Sequence, residues 1–261
     1  MIDIHKIFDI QTEEDFKAMT MKIFRFQFEN NPVYRSFCDL LYIHPSDVHS
    51  IENIPFLPIQ FFKSHEVVCN TDAVRKIFSS SGTTGSITSK HYVTDLEIYE
   101  KSFKNGFLHF YGDIKDYAIL ALLPSYLERD GSSLIYMVEH LIKDSKHPQS
   151  GFYLNNLSDL KNTLIELDQS GQKVLLIGVS FALLDLVDLY QFHLKNTIVM
   201  ETGGMKGRRK ELIREELHAI LRQGFGVTTI HSEYGMTELL SQGYSNGEGV
   251  FECAPWMKIL I

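Results

Sequence analysis

A run of small hydroxyl-bearing residues and glycines, SSSGTTGSITSK at positions 79–90, stands out in this sequence. Successive small residues expose backbone N–H groups and let a ligand approach the chain closely. The hydroxyl groups are further donors to phosphate oxygens, and Lys90 adds a positive charge. A Walker A loop is excluded, because Ile87 stands where its second glycine belongs. The segment predicts a phosphate-binding loop of another kind, with a flexible linker as the alternative.

A second polar segment, HSEYGMTE, occupies positions 231–238. The Thr237 hydroxyl is a donor to an anionic oxygen, and Tyr234 offers a ring on which a base can stack. Glu238 is a carboxylate ligand of the kind that Mg²⁺ prefers, often together with substrate phosphates. The alternative is the start of a helix, where a glutamate simply favours the positive end of the helix dipole.

The adjacent glycines Gly203 and Gly204 lie between these two segments and permit a tight turn with close backbone approach. A cluster of basic residues follows them, but three glutamates lie on the same predicted helix. We expect a solvated face of mixed charge there rather than a nucleic-acid patch. The residues concerned are Lys206, Arg208, Arg209, Lys210, Glu211, Glu215 and Glu216.

Two other patterns invite a catalytic interpretation. GVSFA at 178–182 resembles the strand-to-helix elbow of a serine hydrolase around Ser180, although its last position is alanine and few histidines follow. Cys253 has no histidine close after it and is expected to be a buried, unreactive thiol. The three cysteines are far apart and form no CxxC pair, which argues against a disulfide framework or a zinc site.

Composition narrows the class of protein. The chain has 261 residues, 44% of them hydrophobic, and a formal net charge of −8. The hydrophobic content is ample for a core, and the acidic balance disfavours nonspecific binding to nucleic acid or anionic membranes. The first residues do not have the organisation of a signal peptide, and no apolar run approaches the ~20 residues of a membrane span. A cytoplasmic protein is expected.

The elements that must position these segments follow an alternating pattern. Strands are predicted at 117–124, 173–178, 196–200 and 227–231, with an extended segment at 76–78 before the Ser/Thr/Gly loop. Helices are predicted at 95–110, 131–143, 158–169, 180–190 and 207–222. This alternation predicts βαβ units around a mainly parallel sheet flanked by helices. Since ligands of such sheets bind beyond the carboxyl ends of the strands, the polar segments are expected there.

The first part of the chain is different in character. Thr12 and Asp15 resemble a capping box at a helix start, and Asn31-Pro32 predicts the start of a second helix. We expect a helix-rich segment over 1–65, packed on an α/β nucleotide-binding core over 66–261.

Together, SSSGTTGSITSK and EYGMTE resemble the phosphate-binding loop and the aromatic-Gly-x-Thr-Glu motif of the adenylate-forming superfamily, which includes acyl-CoA synthetases, luciferase and adenylation domains. Within it, IPFLPIQFFKSHEV, the extended loop and TGGMKG are most similar to the LuxE-type acyl-protein synthetases. The likeness covers most of residues 50–245. It implies the fold of the large N-terminal domain of these enzymes.

The resemblance also implies roles for individual residues. ATP phosphates would be held by Ser80, Ser81, Gly82, Thr83, Thr84 and Gly85, with Lys90 nearby. Gly203, Gly204, Tyr234 and Gly235 would lie near the adenine. Thr237 would contact the α-phosphate, and Glu238 would bind Mg²⁺.

The implied reaction joins a fatty or aromatic carboxylic acid to a thiol by way of an acyl-adenylate, with ATP and Mg²⁺ required. The thiol would belong to a protein, a carrier protein or coenzyme A, and the LuxE likeness implies an acyl-reductase partner. A phenylacetate-CoA ligase type of enzyme, a nucleotide-binding module without turnover, and the Ser180 hydrolase are the alternatives. The family's ribose-binding Asp and its lysine-bearing C-terminal domain have no counterpart here, so a truncated chain is expected.

Overall fold

The first part of the chain is helical, and its first two α-helices begin where the sequence predicts. A computed structural model describes residues 3–69, 73–80, 87–124, 131–154, 156–205 and 207–260. Helix α1 spans Glu13–Asn30, α2 spans Pro32–Leu40, and the single turn α3 spans Phe61–Ser64. Thr12 Oγ1 accepts the Asp15 N–H at 3.1 Å, and the Asp15 carboxylate accepts the Thr12 N–H at 3.1 Å. The capping box is therefore complete with aspartate in its third place.

These helices enclose a small core of their own, built from Phe24, Phe28, Tyr34, Cys38, Val48 and Ile54. The Asn31 side chain accepts the Tyr34 N–H and so caps α2, as predicted. The segment also contacts the end of the chain. The Phe8 and Trp256 rings pack edge to face at 5.2 Å, and Lys258 pairs with Glu13 at 2.8 Å.

A separate two-stranded hairpin precedes the main sheet. Strand β1, Lys76–Ser79, pairs antiparallel with β2, Lys90–Val93, and Ser79 lies opposite Lys90. The Ser/Thr/Gly loop was expected to follow a strand of the parallel sheet. That expectation is wrong, because the loop joins the two strands of this hairpin. Ser79 N–H donates to the Gly131 carbonyl at 2.8 Å, which fixes the hairpin to the body of the protein.

The main sheet has seven strands among the residues that the structure describes. They are β3 Tyr117–Leu122, β4 Gly151–Phe152, β5 Lys173–Val179, β6 Thr197–Thr202, β7 His231–Tyr234, β8 Gly243–Ser245 and β9 Glu252–Cys253. Their order is β4-β3-β5-β6-β7-β8-β9; the first five are parallel, and the last two are antiparallel additions. The predicted mainly parallel sheet is confirmed.

The helices that flank the sheet are α4 Leu96–Tyr111, α5 Ser133–Ser145, α6 Leu157–Gln169, α7 Ser180–Leu189 and α8 Arg214–Phe225. All six residues of β3 are buried, as are the six from Val174 to Val179 in β5. Strands buried on both faces read as continuous apolar runs, which is why the sequence located them well.

Two predicted boundaries are wrong, and both lie next to the polar segments. The strand predicted at 227–231 begins only at His231, so residues 232–234 belong to the strand instead of following it. The helix predicted at 207–222 begins at Arg214. In the segment before α8, Arg209 binds the carboxylates of Asp185 and Asp188 on α7. This contact holds that segment against α7, outside α8. Most of the predicted mixed-charge helical face is therefore a loop.

Candidate functional site

A polar cavity of about 570 Å³ opens at the carboxyl ends of β6 and β7. Six of the residues that the sequence singles out line it together, although they come from three distant parts of the chain. They are Ser80, Gly203, Tyr234, Gly235, Thr237 and Glu238. The side chains that join them include Tyr99, Ser133 and Met137 from α4 and α5, Glu201, Glu233 and Gln242. We call this site the polar cavity.

The structure describes the two ends of the predicted phosphate-binding loop. Ser80 lines the polar cavity, and it pairs with Ser89 through its backbone N–H (3.0 Å) and its hydroxyl (2.9 Å). Residues Ser81, Gly82, Thr83, Thr84 and Gly85 lie outside the described residues. Ser80 is thus placed at the cavity, and the phosphate-binding role of the whole loop stays a prediction.

Two other candidates are not brought into the cavity lining. Lys90 is exposed at the start of β2, opposite Ser79. Gly204 is exposed directly after Gly203, whose φ of 66° lies in the left-handed region that glycine tolerates. Gly203 therefore turns the chain at the cavity edge, and Gly204 lies just beyond it.

The EYGMTE segment enters the cavity as a strand end and a turn. No helix begins after Tyr234, which removes the alternative of a simple helix start. Tyr234 is 42% exposed, and its ring packs edge to face with Phe251 at 6.1 Å. Thr237 and Glu238 are half-buried in the turn that follows. An exposed ring beside a hydroxyl and a carboxylate is available to a ligand in the cavity.

Sequence reasoning missed the two buried carboxylates of the cavity, Glu201 and Glu233. They lie on the neighbouring strands β6 and β7, and Thr202 Oγ1 donates to Glu233 Oε2 at 2.5 Å. Burial raises the pKa of Glu233 to about 7, and the Glu201 charge adds to this, while the Thr202 hydrogen bond opposes it. The available signal was a charged residue near the end of each predicted strand.

Glu201 has two basic side chains near it, and no ion pair of the described residues involves Glu233. Arg214 Nε lies 3.8 Å from Glu201 Oε1, and His218 Nε2 lies 3.6 Å from the same oxygen. The cavity therefore contains one partly compensated carboxylate and one without a cationic neighbour.

The Ser180 hydroxyl occupies a structural position. The strand-to-helix turn is present, but Ser180 is only 2% exposed and is absent from the cavity lining. Its oxygen lies 3.3 Å from Glu201 Oε2 and 3.1 Å from the Gly203 carbonyl oxygen, and its single hydrogen is shared between these two acceptors. Within the described part of the chain no histidine contacts this hydroxyl, so the arrangement needed for a serine nucleophile is not formed. Ser180 instead orients Glu201 and the glycine turn.

A second cavity, of about 400 Å³, lies under the N-terminal helices. Its lining is largely apolar and includes Ile23, Phe24, Leu57, Phe62, Val68, Val93 and Leu240. We call it the apolar cavity. Cys69 lines it, and burial raises the pKa of this thiol. Cys253 is half-buried, so the expectation of a buried thiol is wrong, although partial burial still raises its pKa.

His91 on β2 connects the two cavities. It lines the apolar cavity, and its Nδ1–H donates to the backbone carbonyl of Thr237 at 3.0 Å. Burial lowers the pKa of His91, which the Thr237 contact and the Glu238 charge partly oppose. The Phe62 ring packs edge to face on the imidazole at 5.5 Å. The turn that carries Thr237 and Glu238 is thereby tied to the hairpin.

The comparisons with family models and with curated proteins assign no function to this site. A scan of protein-family models finds no match to the chain, and a search of curated proteins finds none either. In the described ranges no helix has both the length and the apolar character to span a membrane.

Proposed function

We propose that this protein activates a carboxylic acid with ATP to form an acyl-adenylate and pyrophosphate, and then transfers the acyl group to a thiol. The observation that carries the proposal is the meeting of Ser80, Tyr234, Thr237 and Glu238 in one cavity. Hydroxyl donors, an exposed aromatic ring and a carboxylate are the groups that a nucleotide with a bound metal needs. Ser80 comes from the hairpin, and the other three come from the end of β7 and the turn after it.

Each group has a distinct task in this proposal. The carboxylate of the acid forms a bond to the α-phosphorus, and the bond from that phosphorus to the bridging oxygen breaks as pyrophosphate leaves. The Thr237 and Ser80 hydroxyls donate to phosphate oxygens, where negative charge increases during the step. Such preorganised donors account for a large part of catalysis in water-excluded sites. Tyr234 orients the base by stacking.

The residues present also fit a Mg²⁺ ion. Glu238 would hold it together with phosphate oxygens, and a bound magnesium would neutralise charge on the departing pyrophosphate. The described residues contain no group of three or more His, Cys, Asp or Glu side chains that could hold a metal. One carboxylate plus substrate oxygens is the usual arrangement for Mg²⁺ in nucleotide sites, so the donor set is suitable.

The closing test combines binding with turnover. ATP binding is measured by calorimetry with and without Mg²⁺, and ATP–pyrophosphate exchange is measured with a panel of aliphatic and aromatic acids. Glu238→Gln should lower exchange about a hundredfold or more, the size seen when one charge-stabilising group is lost. Glu211→Gln, an exposed carboxylate outside the cavity, is the matched control and should leave exchange unchanged.

The outcomes separate the candidate functions. Exchange that depends on Glu238 supports the ligase. ATP binding without exchange for any acid would overturn it in favour of a nucleotide-binding module without turnover. Labelling of Ser180 by a fluorophosphonate, absent in Ser180→Ala, would favour a hydrolase instead.

A further inference from the structure

The polar cavity has one arginine in its lining. Arg214 begins α8, and its side chain is 42% exposed. In the described part of the chain it is the only basic residue that lines the cavity, beside three acidic ones, Glu201, Glu233 and Glu238. An anion that enters the cavity therefore meets three carboxyl groups and this one guanidinium group.

The connection between β8 and β9 holds Arg214 in place. The central guanidinium carbon lies 4.8 Å from the centroid of the Phe251 ring, which packs edge to face with Tyr234 at 6.1 Å. The stem of Arg214 lies against Gly249, where an added Cβ atom would come within 3.2 Å of Arg214 Cδ. An arginine packed in this way has lost part of its rotamer freedom before a ligand binds, which lowers the entropic cost of binding.

The N–H groups of Arg214 have no acceptor in the described part of the protein. Nε lies 3.8 Å from Glu201 Oε1, which is an ion-pair distance but is longer than a hydrogen bond. The Glu201 carboxylate also has His218 Nε2 at 3.6 Å and shares the Ser180 hydrogen. No described residue accepts a hydrogen bond from Arg214. The guanidinium group is therefore held by stacking and packing, and its donors are available to a ligand.

The proposed reaction brings two anions into this cavity, ATP and a carboxylic acid. Glu238 is assigned to Mg²⁺ in that proposal, and negative charge on the buried Glu201 and Glu233 repels both anions unless a cation offsets it. A guanidinium group offers parallel N–H donors that match two oxygens of a phosphate or of a carboxylate. Arg214 supplies this chemistry at the cavity.

We propose that Arg214 binds an oxyanion of the reactants, either a phosphate of the nucleotide or the carboxylate of the acid. The inference rests on the proposed function for the identity of these anions, and it adds a binding residue to that function. Phe251 is a positioning residue, because its ring contacts both Arg214 and Tyr234. The base-stacking ring and the oxyanion donor thus share one support.

The first arm of the test measures nucleotide binding by calorimetry. ATP, AMP and adenosine are titrated into the unaltered protein and into Arg214→Gln, which lacks the charge and the guanidinium fork. If a phosphate is the partner, ATP and AMP should bind about tenfold more weakly or worse, the range for a hydrogen bond to a charged group. Adenosine has no phosphate, and its affinity should not change.

The second arm measures binding of the acid. Each acid of the exchange panel is titrated at saturating α,β-methylene-ATP, in which a P–CH₂–P bridge prevents the release of pyrophosphate. If the carboxylate is the partner, Arg214→Gln should weaken binding of the acid about tenfold or more. The primary amide of the same acid has no charge, and its affinity should not change.

Matched variants separate binding from folding, which is followed by urea denaturation. Arg222→Gln removes an exposed arginine of the same helix, outside the polar cavity, and should leave every affinity unchanged. Arg214→Lys keeps the charge without the fork and should retain part of the affinity that Arg214→Gln loses. Phe251→Leu should weaken adenosine as well as AMP, because it loosens Tyr234 and Arg214 together.

The results distinguish failure of this inference from failure of the ligase proposal. Unchanged affinities for ATP, AMP and the acids in folded Arg214→Gln would overturn the inference, and exchange by that variant would leave the ligase proposal standing. Binding of AMP that depends on Arg214, without exchange for any acid, supports the oxyanion site while the ligase proposal fails. If neither nucleotides nor acids bind to the unaltered protein, both are overturned. If Arg214→Gln does not fold, unchanged AMP and acid affinities in Arg214→Lys overturn the inference.

Discussion

The polar cavity and the apolar cavity differ in what they leave unsatisfied. The polar cavity holds buried carboxylates and an unpaired amide oxygen at the ends of β6, β7 and the chain that follows. The apolar cavity is lined mainly by hydrocarbon side chains from the N-terminal helices and the hairpin. An unpaired buried polar group lowers stability until a water or a ligand pairs with it, whereas an apolar lining needs no such partner. We therefore place the proposed chemistry in the first cavity and expect the second to contribute mainly to stability.

The two cavities are linked at one point. His91 lines the apolar cavity and holds the Thr237 carbonyl of the polar cavity. Substitutions in the apolar cavity should therefore change mainly stability, and those in the polar cavity mainly ATP binding or exchange. Substitutions at His91 should change both stability and exchange. We expect three effects, which decrease in size from the apolar cavity to Glu233 and then to His91.

The largest effect is expected in the apolar cavity. Phe24 is 3% exposed and belongs to the N-terminal core, so Phe24→Ala removes buried surface and leaves a void. The free energy of unfolding should fall by about 3–5 kcal/mol, measured by urea denaturation. ATP binding at temperatures where the variant is folded should stay close to that of the unaltered protein. Leu40→Ala, at a residue 76% exposed, is the control and should change stability little. Loss of ATP binding in folded Phe24→Ala would contradict the division between the cavities.

The next effect concerns the pH dependence of stability. The pKa of Glu233 rises from 4.5 to about 7 in the folded protein, so the folded state binds more protons than the unfolded state between these values. The contribution to stability is present below pH 4.5 and is lost as pH rises through 7. When the pH is raised from 5 to 8, the free energy of unfolding of the unaltered protein should fall by roughly 2–3 kcal/mol relative to that of Glu233→Gln. Urea denaturation at both pH values measures the change, and Glu252→Gln should show none. A pH-independent difference would show that Glu233 is not desolvated.

The smallest effect is expected at His91. His91→Phe keeps a ring beside Phe62 but removes the donor to Thr237, and about 1 kcal/mol of stability should be lost. Exchange should fall several-fold, because the Thr237–Glu238 turn loses its tie to the hairpin. His91→Asn retains an N–H donor and should restore part of the exchange. The exposed His109→Phe is the control. Equal exchange in the Phe and Asn variants would show that the hydrogen bond has no positioning role.

The sequence predicts an element accurately where the signal lies within a few neighbouring residues. The apolar runs 117–124 and 173–178 identify buried strands, and the Thr12–Asp15 box identifies a helix start, because both signals are contained in a few residues. The end of the strand at 231–234 was misplaced, since it depends on pairing with β6. Likewise, the start of α8 depends on the contact of Arg209 with α7.

By itself the sequence determined the alternation of strands and helices, the helix caps, and the polar segments whose residues meet at the cavity. These follow from periodicity, residue size and hydrogen-bonding capacity, which act over short distances along the chain. Only the tertiary structure decided that Ser80 arrives from a separate hairpin, that Glu201 and Glu233 lie on adjacent strands, and that Gln242 Oε1 is left unpaired. Burial and charge proximity raise the pKa of Glu233, and both depend on residues distant in sequence. The sequence therefore predicts the candidate site from its motifs, whereas the buried acceptors Glu201, Glu233 and Gln242 are brought together only by the assembled sheet.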